Sequence, residues 1–242
     1  CFQSKHNAAI GLYRQTLPRP PIFPIFARPM EDLHRHKGQR NALVKKLVSK
    51  GIRDKAVLKA IGTVPRHLFL DSSFEGYAYQ DKAFPIAAGQ TISQPYTVAF
   101  QTEKLALAPG QRVLEVGTGS GYQAAILAQM GVKVYSIERH KALFDHTRTL
   151  LRQLGYNVHL KYGDGYQGLP SQAPFDGIVV TAGAPYIPQP LVAQLRTGGH
   201  LIIPVGTSVQ KMYRLRKEPD GSTQQEDWGD FRFVPLLSDK ES

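Results

Sequence analysis

RVLEVGTGSGYQ, residues 112–123, joins an apolar run to a glycine-rich turn. The start of this stretch, VLEV, is typical of a short buried strand. Gly117, Gly119 and Gly121 follow at alternate positions, a spacing that lets the backbone approach a ligand without side-chain interference. A dinucleotide-binding fingerprint, G-x-G-x-x-G, would place its third glycine at position 122, where this chain has Tyr122. The stretch therefore predicts a strand, loop and helix that bind an adenosine ligand other than a dinucleotide.

Two acidic residues refine the predicted ligand. Glu115 stands two positions before the first glycine, where a carboxylate would repel a pyrophosphate but can hold a positively charged group, directly or through water. Glu138 ends the run VKVYSIE, and an acid at the end of the second strand of an open α/β site accepts hydrogen bonds from ribose hydroxyls. A solvated strand end is the alternative for Glu138, but the glycine loop favours the functional interpretation. Together these features predict S-adenosylmethionine as the cofactor.

Strand and helix patterns alternate from residue 112 onward. Strands are predicted near 112–116, 133–137, 158–161, 176–181 and 199–204, with helices near 120–130, 140–153 and 188–196. This alternation predicts an α/β fold with a doubly wound, mostly parallel sheet, which binds ligands outside the carboxyl ends of its strands. Two further segments, 209–216 and 231–236, flank a turn at Asp220-Gly221 and predict an antiparallel pair at the edge of the sheet.

The residues before the glycine loop predict a helical addition. Apolar residues recur at helical spacing from Leu43 to Val48, and Asp54 is placed to cap a second short helix. Residues 63–95 lack a regular pattern, and a helical pattern resumes at 96–107. The polar loop GQTISQPY, residues 89–96, leads into that helix. Its hydroxyl side chains are helix caps in the structural interpretation, so this pattern alone leaves their role open.

Charge and composition exclude several classes of protein. The formal charge is +11, but residues 1–60 hold 13 Lys and Arg against 3 Asp and Glu, whereas residues 61–242 hold 17 against 16. The segment with the glycine loop is nearly neutral, which argues against a nucleic-acid-binding face. Cys1 is the only cysteine, and no apolar run reaches the ~18 residues of a membrane helix. We therefore expect a cytoplasmic protein.

The first 29 residues are rich in proline and arginine and lack periodicity. They predict a basic, weakly ordered extension, followed by a single domain over residues 30–242. Met30 stands just before the first helical pattern, so a start at Met30, or a sequence cut from a longer chain, is also an expectation. The mass of the protein purified from its native source distinguishes these cases.

Smaller motifs are ambiguous alone. Asp164, in a Gly-Asp-Gly sequence after the third strand, can accept a hydrogen bond from an adenine amino group or simply form a turn. The fourth strand ends in TAGAP, whose small residues leave space for an acceptor or merely allow a tight turn. Ala184-Pro185-Tyr186 supplies only part of the pattern with which nucleic-acid methyltransferases stack a flipped base. The eight histidines show no spacing typical of metal ligands, so no metal is expected.

Six motifs together resemble the protein-L-isoaspartate O-methyltransferase family in its bacterial form: VPRHLFL, GQTISQPYTVA, VLEVGTGSGYQAA, GDG, AGAP and GGHLIIPVG. The resemblance runs from about residue 30 to about residue 239. It implies a Rossmann-like methyltransferase fold and methyl transfer from S-adenosylmethionine to the free α-carboxylate of L-isoaspartyl residues in damaged proteins and peptides, which starts their repair. The same resemblance extends the expectation to D-aspartyl residues.

The resemblance also implies roles for individual residues. Ser93 is the expected catalytic residue, and Ser238, after the closing segment RFVPL, is expected near the site. The expected cofactor-binding residues are Thr91, Ile92, Ser93, Glu115, Gly117, Thr118, Gly119, Ser120, Gly121, Glu138, Asp164 and Gly165. Isoaspartyl proteins and peptides are the expected partners of a monomer that binds neither specific nucleic acid nor membrane.

Two other functions remain open from the sequence. The first is an S-adenosylmethionine-dependent methyltransferase with another acceptor, such as a small molecule or RNA. The second is a nonenzymatic nucleotide-binding or interaction protein that keeps the glycine loop without an acceptor site. Methyl transfer to an isoaspartyl peptide, compared with its normal aspartyl twin, discriminates among all three.

Overall fold

The chain folds around a mostly parallel sheet. The computed structural model describes residues 31–241. Within them the helices are α1 His34–Ser49, α2 Lys55–Thr63, α3 Pro95–Leu105, α4 Tyr122–Gln129, α5 Lys141–Gln153 and α6 Gln189–Ala193. The strands are β1 Phe84–Pro85, β2 Thr91–Ile92, β3 Arg112–Val116, β4 Lys133–Glu138, β5 Val158–Tyr162, β6 Phe175–Val180, β7 Leu195–Val205, β8 Gln210–Lys217 and β9 Thr223–Phe231.

The strand order of the large sheet creates the crevice in which ligands of such folds bind. The order is β5-β4-β3-β6-β7-β8-β9, and β3 pairs in parallel with both β4 and β6. The chain therefore reverses its direction across the sheet at β3, which opens a crevice at the carboxyl ends of these strands. The last two pairings, β7 with β8 and β8 with β9, are antiparallel. The predicted fold class is confirmed.

Both faces of the sheet are buried. Val113 and Val179 pack in an apolar cluster with residues of α2, α3 and α4, whereas Leu114 and Ile178 pack in a second cluster with residues of α6. Successive residues of a strand point to opposite faces, so the central strands must be apolar at nearly every position. This is why they were visible in the sequence as continuous apolar runs.

The predicted second edge strand, 231–236, is wrong. The structure instead pairs β9 with β8 from Thr223 opposite Lys217. The turn is tight, with the Glu218 amide donating to the Ser222 carbonyl at 2.9 Å, so pairing resumes immediately after it. The strand was missed because an edge strand carries polar residues such as TQQED on its exposed positions. Residues 234–236 instead bond to Gly183 beside the end of β6.

The helical addition is confirmed in α1 and α2. The Asp54 carboxylate caps α2 by accepting from the amides of Ala56 at 2.7 Å and Val57 at 3.1 Å. Between α2 and α3 the chain forms short 3-10 turns and the small antiparallel ribbon of β1 and β2. No helix of residues 31–241 is long and apolar enough to cross a membrane. The expected extension 1–29 and the expectation about Met30 lie outside the described residues.

Candidate active site

A cleft opens at the carboxyl ends of β3, β4 and β6. Its lining combines segments that are far apart in the sequence. Val116 comes from the end of β3, Gly117 and Gly119 from the glycine loop, Glu138 from the end of β4, and Thr91 from the ribbon. Residues following β6 and the segment 234–237 complete the wall. The cleft therefore joins the glycine loop to the GQTISQP loop.

The glycine loop needs glycine for both conformation and space. Gly117 has φ of 95°, and a Cβ at this position would lie 2.6 Å from the Thr181 Oγ1. Gly121, the N-cap of α4, has φ of 86°, and its Cβ would lie 2.6 Å from a methyl of Thr147. Side chains rarely adopt these backbone angles, and neither site has room for one. The spacing in the sequence thus reports real steric limits.

Glu138 connects the end of β4 to the glycine loop. Its side chain is buried, with one carboxylate oxygen accepting from the Gly119 amide at 2.8 Å and the other from the His140 amide at 2.9 Å. Each carboxylate oxygen can accept more than one hydrogen bond, so the Glu138 carboxylate can still accept hydrogen bonds from a ligand in the cleft that it lines. The position suits a carboxylate that binds vicinal hydroxyl groups.

Glu115 lies beneath the loop, fully buried. Its Oε2 accepts a hydrogen bond from the Ser136 hydroxyl, and that hydroxyl lies 2.6 Å from the Thr118 Oγ1. No donor meets hydrogen-bond geometry at its Oε1 within residues 31–241, although the Ala124 amide lies close enough to favour the charged carboxylate. Burial raises the pKa of Glu115 to about 8, a direction that Ser136 opposes and nearby Glu138 reinforces. The expected contact of this carboxylate with a cationic ligand stays a prediction.

The GQTISQP loop is held by the ribbon and by α3. Thr91 is exposed and lines the cleft, whereas Ser93 is partly buried. The Ser93 hydroxyl makes no hydrogen bond with another described residue. The N-cap of α3 is Gln94, which makes no side-chain cap, and Pro95 begins the helix. Thr91 and Ser93 are therefore not the caps that the structural interpretation required.

The cleft is lined by five of the predicted cofactor-binding residues, namely Thr91, Gly117, Gly119, Glu138 and Gly165. The remaining seven do not line it: Ile92, Ser93, Glu115, Thr118, Ser120, Gly121 and Asp164. Ile92 and Thr118 are buried. The Asp164 carboxylate accepts from the Tyr166 amide at 2.9 Å, which is the turn that the structural interpretation proposed for it. The individual roles in cofactor binding stay predictions.

Several cleft residues could not be predicted from the sequence. Thr181 places its hydroxyl 2.6 Å from the Gly117 carbonyl oxygen and so connects the end of β6 to the loop. Arg139 lines the cleft and donates from its guanidinium to the carbonyl oxygens of Asp239 at 2.9 Å and Ser238 at 3.4 Å. The only sequence signal for Thr181 was its place directly after the fourth strand. Nothing local could associate Arg139 with the end of the chain.

A polar cluster lies apart from the cleft residues. Ligand atoms of Asp32, His36 and His67 lie within 4.8 Å of one another, a grouping that their sequence spacing did not indicate. However, Arg40 donates to both carboxylate oxygens of Asp32 at 2.7 and 2.9 Å, and the Tyr79 hydroxyl lies 2.7 Å from the His67 Nδ1. A guanidinium on Asp32 repels a cation, so this donor set fits a hydrogen-bonded cluster better than a metal site.

Comparisons with known proteins agree with this geometry. The sequence model of the protein-L-isoaspartate (D-aspartate) O-methyltransferase family matches residues 38–241. Protein-L-isoaspartate O-methyltransferases of Christiangramia forsetii and Flavobacterium psychrophilum are each 58% identical over 212 residues, which cover 87% of this chain and all of each relative.

Solved structures support the same assignment. A protein-L-isoaspartate O-methyltransferase superposes with a TM-score of 0.76 and 29% identity, covering 82% of this chain and 66% of the other. A Plasmodium falciparum structure of that description, in complex with S-adenosyl-L-homocysteine, has a TM-score of 0.72 and 27% identity, covering 84% and 98%. The resemblance seen in the motifs is confirmed, and the chain belongs to the protein-L-isoaspartate (D-aspartate) O-methyltransferase family.

Proposed function

We propose that this protein transfers the methyl group of S-adenosylmethionine to the free α-carboxylate of L-isoaspartyl residues in damaged proteins and peptides, the first step of their repair. The observation that carries the proposal is the single cleft lined by Gly117 and Gly119 on one side and Thr91 of GQTISQP on another. Such a cleft brings a methyl donor and an acceptor together. Membership of the family, and the S-adenosyl-L-homocysteine bound to a structural relative, support the proposal.

The donor side fits S-adenosylmethionine. Gly117 and Gly119 line the cleft without side chains, so a ligand can approach their backbone, and Glu138 would accept from ribose hydroxyls. The role expected for Glu115 at the amino-acid end of the ligand stays a prediction, because its carboxyl group is buried beneath the loop and does not line the cleft. When bound, S-adenosylmethionine supplies a methyl group on a positively charged sulfur. Asp164 and Gly165 would contact the adenine end.

The acceptor side needs orientation more than proton transfer. An α-carboxyl group has a pKa of about 3.3 to 3.7, so it is already ionised at neutral pH and needs no general base. The Ser93 hydroxyl has no partner among residues 31–241 and can donate a hydrogen bond that orients one carboxylate oxygen. Aligning two bound reactants lowers a barrier by roughly 7 to 11 kcal/mol, so an orienting residue suffices for catalysis. The segment 234–237 would cover the reactants and exclude water.

Transfer of labelled methyl to a synthetic isoaspartyl peptide tests the proposal. The control is the same peptide with a normal aspartyl linkage, and a D-aspartyl version and an RNA extend the comparison. Label should appear in the isoaspartyl peptide, be lost on mild alkaline hydrolysis as expected of an ester, and be absent from the aspartyl twin. Equal label in both peptides, or label only in RNA, would contradict the proposed acceptor.

Ser93→Ala tests the role proposed for the hydroxyl. We expect a lower turnover on the isoaspartyl peptide, because the carboxylate loses an orienting donor, with binding of S-adenosyl-L-homocysteine retained. Calorimetric titration measures the binding, and initial rates measure turnover. Unchanged turnover in a variant with intact binding would refute this role.

We also propose that the protein acts as a cytoplasmic monomer without a specific nucleic-acid partner. Its single cysteine suits a reducing compartment, and the near balance of charge over residues 61–242 argues against a nucleic-acid partner. Light scattering after size exclusion should give the mass of one chain. Cell fractionation with an antibody to the native protein tests the location.

A further inference from the structure

Asp81 lies behind the GQTISQP loop with its side chain fully buried. One carboxylate oxygen accepts from the Tyr96 amide at 2.8 Å, and the other lies 2.6 Å from the Lys50 ammonium. Lys50 also lies over the Tyr96 ring, 5.1 Å from its centroid. A buried carboxylate is stable only when hydrogen bonds and a counter-charge replace its water, and this one has both.

The contact with Tyr96 supplies a cap that α3 lacks. Gln94, its N-cap, makes no side-chain hydrogen bond to the first turn, and Pro95 has no amide hydrogen. The amide of Tyr96 is thus the first free donor of the helix, and a residue 15 positions upstream satisfies it. A carboxylate at this end also interacts favourably with the helix dipole. Asp81 therefore fixes where α3 begins.

The same residue fixes the other end of the loop. Three residues after Asp81, Phe84 enters the ribbon opposite Ile92, the residue before Ser93. The amide of Ile86 then donates to the Gln90 carbonyl at 2.8 Å, which closes the turn between the two strands. Residues 84–95 therefore form a closed loop. Asp81 precedes this loop by three residues and accepts a hydrogen bond from Tyr96, the residue that follows it.

We propose that Asp81 is a positioning residue that sets the place of Ser93, and hence of the acceptor carboxylate, by capping α3 across the loop. The inference rests on the proposed function, because it concerns the acceptor half of that site. Asp81 does not line the cleft, and Ser93 is separated from the capped amide by only Gln94 and Pro95. The effect should therefore appear in the methyl-transfer step and leave donor binding unchanged.

The ionisation of Asp81 is consistent with this role. Burial would raise the pKa of Asp81, but hydrogen bonds from Lys50, the Tyr96 amide and the Gln94 side chain outweigh burial and lower the pKa below its ordinary value. The groups that face it are Lys50 from the end of α1, the buried Arg66, and the amide end of α3. The carboxylate is thus charged throughout the neutral range and remains an acceptor only.

Asp54 provides a matched control. It caps α2 with the same chemistry, accepting from the amides of Ala56 and Val57, but no residue of α2 lines the cleft. Removal of either carboxylate uncaps one helix. Only removal of the Asp81 carboxylate should disturb the GQTISQP loop.

The experiment compares Asp81→Ala, Asp81→Glu and Asp81→Asn with Asp54→Ala and the unmodified protein. Asparagine caps helices about as well as aspartate, whereas glutamate keeps the charge but moves it by one methylene. Thermal unfolding, titration with S-adenosyl-L-homocysteine, and kcat and KM on an isoaspartyl peptide are measured for each.

We expect Asp81→Ala and Asp81→Glu to lower kcat by about tenfold or more, since small misplacements of reactants carry penalties of this order. Asp81→Asn should restore most of the rate, donor affinity should stay within about twofold, and Asp54→Ala should keep the full rate.

Several results would overturn the inference. The inference is wrong if the unmodified protein is active and Asp81→Ala keeps the same kcat as Asp54→Ala. It is also wrong if the Asp81 variants lose affinity for S-adenosyl-L-homocysteine as much as they lose rate. If Asp81→Ala does not fold, Asp81→Glu and Asp81→Asn decide, and equal rates for those two reject the capping role. If the unmodified protein is inactive on the isoaspartyl peptide, the proposed function is wrong and this inference fails with it. An active unmodified protein with unaffected Asp81 variants shows instead that only the inference about Asp81 is wrong.

Discussion

Replacing Glu115 by glutamine tests the unusual state of this buried acid. The carboxyl group is fully buried beneath the glycine loop, where the Ser136 hydroxyl donates to one oxygen and no donor among the described residues meets hydrogen-bond geometry at the other. Glutamine has nearly the same shape and is neutral at every pH. The substitution therefore removes the ionisation while keeping the packing and the acceptor for Ser136.

The magnitude follows from the raised pKa. Desolvation shifts the pKa of Glu115 from 4.5 to about 8, so between these values the folded protein keeps a proton that the unfolded chain has released. The resulting stabilisation is fully present below pH 4.5 and is lost as the pH rises through 8. A difference of one pKa unit corresponds to about 1.4 kcal/mol, so the whole window is worth at most about 5 kcal/mol.

Urea unfolding followed by circular dichroism, at several pH values from 5 to 8.5, measures the effect. Between pH 5 and about 7.5 the unmodified protein should lose stability relative to Glu115→Gln by about 1.4 kcal/mol per pH unit, and the difference should level off above about pH 8. Comparing the two proteins at each pH cancels the titration of all other groups. A constant difference across this range would refute the argument that Glu115 is neutral in the folded protein.

Three further substitutions test the loop and the sheet. Gly117→Ala should abolish binding of S-adenosyl-L-homocysteine in calorimetry, because the new Cβ meets Thr181. Gly198 is the control, because it has a φ of 78° but open space around its Cβ position. Gly198→Ala should lower the free energy of unfolding by roughly 1–2 kcal/mol and leave binding intact. Asp176→Ala removes the partner of the Arg112 amide and the Arg196 guanidinium, and should lower the free energy of unfolding by about 1–3 kcal/mol in urea at pH 7. Burial would raise the pKa of Asp176, but its hydrogen bonds lower it, so this advantage should shrink as the pH falls below about 4. Equal binding by Gly117→Ala and Gly198→Ala, or a pH-independent effect at Asp176, would contradict these explanations.

Sequence reasoning succeeded where the determining interactions are local. The central strands β3 and β6 were located to within about one residue because both of their faces are buried and most of their positions are apolar. The glycine loop was recognised because positive φ angles and close contacts restrict those positions to glycine. β9 was missed because its exposed edge keeps polar residues, so no apolar period distinguishes it from a loop.

The candidate site depended on contacts that no local pattern encodes. Glu115 was expected at the mouth of the loop, yet strand alternation turns its side chain under α4, where it is fully buried. Thr181 meets Gly117 only because β6 lies beside β3, and Asp81 meets Tyr96 only because the intervening ribbon folds back.

The sequence by itself determined the family, the α/β class, the glycine loop and the acids expected around it, because each rests on residue spacing and on backbone angles within a few positions. Only the tertiary structure decided which of these residues share a cleft, that Glu115 is buried away from solvent, and that the distant Asp81 carboxylate contacts the helix after the GQTISQP loop. Burial and hydrogen bonding between segments far apart in the chain set those properties, and the spacing of residues along one segment carries no record of them.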